Sequence, residues 1–386
     1  MNDSFEPQKH FDNEGECLDA FMHEEILNLP STGAPACLVD DITRARLEVK
    51  KVIRYALIIL DQEPKKAEAV KVIHGARSAR DSTVTTRPNE ADRQKKQARQ
   101  LTYAGKALKL DLDLIRYEYP GHGFHPCAMA LMHAAQAAKD ALNAWRRSPE
   151  GLNASNAAQM RKREQLAQEI LAEVQETSRT ASYREEAERI RHTTWQRMDS
   201  TKNLIEHMFN QRSRLLCVRV DLRYRHFFLG ERYDASLPGH PSFEMVGVHR
   251  EHLLNILRRQ IFKDCLFGYI LRIEWAPGTG FHLHLMLLID GRERRGGVEI
   301  GNLIGRKWRT EVTQGHGYDF NCNRKAMNGG YKMRGTGMFE RADAQGCRGL
   351  MKAAEYLAKA DHFISFYRSD RQRTYFRSQI RPPAQA

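Results

Sequence analysis

A chain of 386 residues is long enough for two or three domains. Its 61 Lys and Arg against 48 Asp and Glu leave a formal charge of +13, the electrostatic footprint of a protein that neutralises phosphates, although charge alone names no substrate. Seven cysteines without a C-x-x-C spacing argue against a disulfide framework or a structural zinc site, no run approaches eighteen apolar residues, and Asp3, Glu6 and Asp12 stand where a signal peptide would be basic, so a cytoplasmic chain with no membrane partner is expected.

Residues 1 to about 40 are turn-rich and include Leu29-Pro30-Ser31-Thr32-Gly33, a sortase-like string that lacks the apolar tail behind it and reads as chance. From Asp41 the pattern is helical: Asp41 or Thr43 can cap, and Leu47, Val52, Ala56 and Ile59 keep a 3.6 period up to Pro64. A second short helical piece runs to His74 and closes a region 1–76. Residues 77–98 are polar, charged and poor in large apolar groups, which predicts a linker.

A helical region of unassigned role follows over 99–205. Leu108, Leu112 and Ile115 continue a helix to Glu118, and Tyr119 to Gly123 is a glycine-rich turn. His122 and His125 have a metal-compatible spacing, but with no third ligand nearby they read as turn residues. Pro126–Ala144 and Arg161–Arg197 read as long helices, the second with a stripe of Leu166, Ile170 and Val174 that calls for a partner helix.

After Arg214 the composition favours strands. LLCVRVDLRYRHFF predicts a half-buried strand through Phe228, and Val248–Phe262 a helix carrying Arg250, Arg258 and Arg259. Tyr269 to Asp290 reads as a hairpin around Pro277-Gly278-Thr279-Gly280. In FHLHLMLLID, two-residue spacing puts His282 and His284 on one strand face and Leu283, Leu285 and Leu287 on the other. A His-x-His pair alone is more often a polar sheet surface. Glu274, eight residues before His282 across the turn, changes the balance, because two imidazoles and a carboxylate suit a divalent cation such as Mg or Mn, Zn or Fe.

Arg292, Arg294 and Arg295 tip the hairpin; such a turn is commonly only solvated, yet three cations near a candidate divalent-cation site could grip a single strand of nucleic acid. Ile300–Val312 is helical, and Tyr318–Asn323 and Gly337–Ala342 read as strands. In GLMKAAEYLAKADHF, Lys352, Tyr356 and Lys359 share one helix face while Leu350, Ala354 and Leu357 form the other. A phenol can attack a phosphodiester while a lysine one turn on offsets the phosphate charge. The element order predicts an α+β fold, an antiparallel sheet with flanking helices, preceded by a mostly α-helical N-terminal region.

The bulky-His-Leu-His run, the upstream Glu274 and the later Tyr356-x-x-Lys359 resemble the HUH endonucleases that start rolling-circle replication. More narrowly, VRVDLRYR, LRIEWAPGTGFHLHLMLLIDG, IGRKWRTEVTQGHGYDFN and EYLAKADHF resemble the replication initiators of filamentous phages (inoviruses) and their prophage relatives, over about residues 200 to 370. The resemblance implies an endonuclease domain over 206–372 with an RRM-like core, the histidine strand in the middle of the sheet, and a basic tail over 373–386. It implies a metal, Mg or Mn first, on His282, His284 and Glu274, with Tyr356 as single nucleophile leaving a 5′-phosphotyrosine and Lys359 stabilising charge; Lys352 is a weaker candidate for touching DNA. Tyr318, Tyr331 and Tyr367 are alternative nucleophiles without a lysine three residues on. No G-x-x-x-x-G-K-[ST] pattern occurs, so unwinding falls to a host helicase, and a host polymerase extends the 3′ end. The same motifs serve transposases and relaxase-like nickases, and a non-catalytic DNA-binding protein could keep the fold.

Overall fold

The computed structural model describes residues 36–62, 90–225, 241–263, 266–277, 280–329, 331, 333–359, 362–366 and 373–380. The Leu29–Gly33 string, the helical piece ending at His74, the strand end at Phe228 and Tyr367 lie outside them. The chain divides into two compact units, one of Met1–Met22, Arg46–Ile115 and Phe124–Ala187, the other of His23–Ala45, Arg116–Gly123 and Glu188–Ala386.

The first unit is helical. Its helices are α1 (Ala36–Ile59, from Arg46 onward), α2 (Glu90–Ala107), α3 (Leu112–Glu118, up to Ile115), α4 (Pro126–Arg147), the single turn α5 (Pro149–Leu152) and α6 (Asn156–Ser178). α1 begins at Ala36, so Asp41 and Thr43 lie inside the helix rather than at its cap. α2 begins at Glu90, so 90–98 is helix where a linker is expected; Glu90 and Asp92 in its first turn complement the helix dipole. Leu166, Ile170 and Val174 are fully buried, and their partner is α4, which packs on α6 through Ala-rich turns. The single helix expected over Arg161–Arg197 is two. α6 stops at Ser178 and α7 (Ala181–Gln211) restarts because the Thr180 hydroxyl accepts the Tyr183 N–H at 3.2 Å, a cap that competes with the helix ladder.

The second unit holds the sheets. Short strands β1 (His122–Phe124) and β7 (Ile364–Phe366) form a two-stranded sheet. The main sheet contains β2 (Arg214–Tyr224), β3 (Leu266–Ala276), β4 (Gly280–Asp290), β5 (Gly317–Asn321) and β8 (Tyr375–Arg377) in the order β5-β2-β4-β3-β8, with β6 (Gly337–Glu340) also beside β2, and every pairing is antiparallel. The hairpin from β3 to β4 stands as expected, and in this six-stranded sheet β4 lies between β2 and β3, at the middle of the order.

Both faces of the sheet are covered. On the leucine face, Leu216, Val218, Val220, Leu222, Leu283, Leu285, Leu287, Leu271 and Ile273 pack under α8 (Phe243–Ile256) and α9 (Gly297–Lys307), each ending in a π turn, Leu257–Ile261 and Trp308–Val312. On the other face, Cys217, Met286, Leu288 and Ile270 pack under α7 and α11 (Ala344–Lys359) through Leu204, Ile205, Met208, Leu350, Ala354 and Leu357. β2, expected half-buried, is therefore buried almost throughout, because helices lie on both of its sides. Gly301 and Gly305 let α9 approach β5 closely: a Cβ at either would collide with Asn321 or Asp319. The stretch read as a strand to Asn323 turns into α10 (Cys322–Met327) because the Asn321 side chain accepts the N–H groups of Asn323 and Arg324 at 3.1 and 3.3 Å. Among the described residues, no helix is long and apolar enough to cross a membrane.

Candidate metal centre

The register of three strands builds the centre. Glu274 on β3 lies directly opposite His282 on β4, and Arg223 on β2 faces His282 from the other side. One row further along, Arg272, His284 and Asp221 stand side by side. The period of two puts all six side chains on the α7–α11 face, opposite the leucines.

Nε2 of His282 lies 3.5 Å and Nε2 of His284 3.3 Å from the same oxygen, Glu274 Oε2. One donor atom from each of the three residues falls within 4.8 Å of the others; no second such cluster of three or more His, Cys, Asp or Glu occurs among the described residues. The opposite ring nitrogens are anchored: Nδ1 of His284 is 2.6 Å from Asp221 Oδ1 and Nδ1 of His282 is 3.2 Å from the Gly280 carbonyl oxygen. Those oxygens accept, so both Nδ1 atoms carry hydrogen, and each Nε2, once free of its own proton, aims its lone pair at the space beside Glu274. A ligating histidine held from behind by a carboxylate or carbonyl is the arrangement that fixes ring orientation and raises ligand basicity. The donor set of two imidazole nitrogens and one carboxylate oxygen suits a divalent cation that keeps further positions for water or phosphate.

The electrostatics agree. Burial works against a charged His284, but Asp221 and Glu274 outweigh it and push the imidazole up to about 10, whereas burial and the neighbouring His284 hold His282 below its usual value. One positive charge is thus favoured between the two carboxylates, the place a bound dication would take over. Burial also opposes ionised Asp221; His284 and Arg219 reverse this and hold its carboxyl well below the usual range. Arg219 Nε lies 3.7 Å from Asp221, and the fully buried Arg272 places Nε 3.9 Å from Glu274 Oε1. Asp221, Arg219 and Arg272 escape the sequence reading. The signal for Arg219 and Asp221 is the alternation in VRVDLRY, and for Arg272 that in LRIEW, where a charged residue occupies every second position of a strand that is otherwise apolar.

Tyr356 is half-buried on α11, the helix over this face, and the Arg219 guanidinium lies 5.4 Å from its ring centroid. Arg219 thereby links the Tyr356 ring to Asp221, which anchors His284. Lys352 is exposed, but Lys359, expected on the same helix face as Tyr356, is only 7% exposed, with Nζ 3.7 Å from Glu355. The arginine turn is not brought to the centre. Asp290, where it begins, is six positions along β4 from His284, roughly 20 Å at a strand's rise. Arg292 is held there by Asp290 at 2.9 Å, and Arg294 and Arg295 are exposed. Comparison with protein-family models, curated proteins and solved structures finds no match to this chain.

Proposed function

We propose that the chain is a metal-dependent endonuclease of the HUH type, with an RRM-like core, that nicks and rejoins single-stranded origin DNA through Tyr356 to start rolling-circle replication in the cytoplasm of a bacterial host. The observation that carries this reading is the convergence of His282, His284 and Glu274 on the sheet face that α11 covers, with the Tyr356 ring against Arg219. The basic charge of +13 and the motif order support nucleic acid as the substrate.

His282, His284 and Glu274 would hold a divalent cation, Mg or Mn, which when bound would supply positive charge at the scissile phosphate. Asp221 and the Gly280 carbonyl keep the two imidazoles in the ligating tautomer. Tyr356 delivers its phenol oxygen to phosphorus; a P–O bond to the tyrosine forms as the bond to the 3′ oxygen breaks. The phenol proton passes to solvent, and the departing oxygen takes one up as the 3′-hydroxyl that a host polymerase extends after a host helicase has opened the duplex. Arg219 beside the ring favours the phenolate, and Lys359 adds positive charge on the last turn of the same helix. The new phosphodiester conserves the energy of the old one, so attack by a 3′-hydroxyl rejoins the strand without a nucleotide cofactor.

The test is incubation of the full chain with single-stranded oligonucleotides from the intergenic region beside its gene, in Mg or Mn. The expected product is a covalent protein–DNA species whose nucleotide maps by mass spectrometry to a peptide containing Tyr356. Tyr356→Phe should bind the same DNA and form none. An adduct on Tyr318, Tyr331 or Tyr367, or full nicking by the phenylalanine variant, overturns the assignment.

A further inference from the structure

The sheet register carries one more group of side chains toward the metal centre. On edge strand β5, Tyr318 lies opposite Arg223 and Phe320 opposite Asp221, so the two rings continue the rows that hold His282 and His284, on the same face of the sheet. Two strand spacings, about 10 Å, separate β5 from β4. Asp319 between them points to the other face, where it pairs with Arg309, so the acid is turned away from this surface.

The chain beyond β5 is basic and aromatic. Lys325 on α10 places its ammonium 5.9 Å from the Phe320 ring centroid and 5.0 Å from that of Tyr331, joining the two rings through one cation. Arg324 beside it is exposed. Tyr318 is 49% and Tyr331 37% exposed, and four of the eleven exposed large hydrophobic residues among those described, Tyr318, Met327, Tyr331 and Met333, fall within residues 318–333. Rings are usually buried, and a run of open ones interleaved with cations, its one acid turned away, has the two components that grip single strands: π faces for bases and charge for phosphates.

We propose that the β5–α10 edge, with Tyr318, Phe320 and Tyr331 as stacking faces and Lys325 and Arg324 as phosphate contacts, is the platform that holds the bases of single-stranded DNA flanking the phosphate at the metal centre. This rests on the nicking reading for the position of the scissile phosphate. It also moves the single strand away from Arg292, Arg294 and Arg295, at the far end of β4. Paired bases cannot open their faces to these rings, so the platform prefers single strands over duplex.

The experiment is fluorescence anisotropy of a labelled oligothymidylate titrated with the full chain in EDTA, so that no cleavage intervenes. Tyr318→Ala and Phe320→Ala should each raise Kd about tenfold for the single strand, while Tyr318→Phe, which keeps the ring, stays at the wild-type value. Lys325→Ala should flatten the slope of log Kd against log salt by about 0.7. A labelled duplex should bind more weakly and ignore the ring variants. Melting temperatures within a few degrees of wild type show that the fold persists; if Tyr318→Ala fails to fold, Tyr331→Ala carries the same expectation. Wild-type affinity in the ring variants, equal losses on duplex, or a loss that follows Arg294→Ala and Arg295→Ala instead overturns the platform. A wild-type protein that forms the Tyr356 adduct while its ring variants bind normally refutes the platform alone. Ring-dependent binding without any adduct refutes the nicking reading alone.

Discussion

His125 is more deeply buried than either histidine of the candidate metal centre, 3% exposed against 8% for His282 and 6% for His284, yet its surroundings offer something different. Its Nδ1 accepts the Cys127 N–H at 3.3 Å at the start of α4, and burial pushes the imidazole down to about 4. His122 likewise falls to about 4 by burial, its Nδ1 3.2 Å from the Pro120 carbonyl and its ring tilted onto Trp275 at 4.7 Å. Around His282 and His284, two flanking strands bring Glu274 and Asp221 into register, and at His284 the balance swings toward positive charge while burial holds His282 below its ordinary value. A turn can place two imidazoles near each other, but here it takes the pairing of three strands to set carboxylates from separate segments beside both.

The largest effect expected from this contrast is on metal binding. His282→Ala or His284→Ala should abolish Mn binding in calorimetric titration and abolish nicking, as should EDTA on the intact protein; His282→Ala should change the melting temperature little, whereas His284→Ala should lower it, because Asp221 and Glu274 lose the cation between them. His122→Ala and His125→Ala should bind Mn as the wild type does. Loss of Mn binding in the His125 variant, with retention in the His284 variant, would reverse the two roles.

Acid should separate the pairs next. His122 and His125 have folded-state values near 4 against an ordinary 6.5, so between those pH values the unfolded chain takes up protons that the folded chain refuses. Their contribution is present above about pH 6.5 and is lost as pH falls toward 4, roughly 3 kcal/mol for each histidine at full extent. Urea unfolding followed from pH 7 to pH 4.5 should show this decline, and it should shrink in His125→Asn. A flat profile in the wild type would mean that neither ring is held neutral.

Much of the centre was legible because strands have a strict period. FHLHLMLLID gives the two faces, Pro277 marks the turn, and Glu274 then falls opposite His282 by counting back across it. Asp221 was not legible, since it lies more than fifty residues away and only the pairing of β2 with β4 brings it to His284. The same reason explains Arg219 against Tyr356. The arginine turn was misplaced by closeness in sequence: eight residues from His284 to Arg292 span most of an extended strand, not a neighbourhood. Local chemistry accounts for the remaining differences, since a threonine cap divides α6 from α7 and an asparagine cap converts the end of β5 into α10.

Asp221→Asn tests the anchoring of His284 and should have a moderate effect. The amide keeps the size and can still accept the Nδ1 hydrogen, but it removes the charge that makes the ring a better donor. Mn affinity should fall about 10- to 100-fold, the range for partners that hold a ligating histidine from behind. Because Asp221 also faces Arg219 at 3.7 Å, Asp221→Asn should lower the yield of Tyr356 adduct even at saturating Mn. Unchanged affinity would show that the geometry of β4 alone orients the ring.

The smallest expected effect belongs to His125 as a helix cap. An N-cap acceptor contributes about 1 kcal/mol, because it satisfies one of the N–H groups that the first turn leaves without a carbonyl. His125→Ala removes that acceptor and also empties the buried volume of the ring, so it should destabilise the protein by about 2 kcal/mol in urea unfolding at pH 7.5. His125→Asn restores an acceptor at the cap while leaving part of the space empty, and should recover roughly half of the loss. Equal stability of the two variants would assign the whole cost to packing and none to the bond with Cys127. Mn affinity should be the same in both, because His125 is not among the candidate ligands Glu274, His282 and His284.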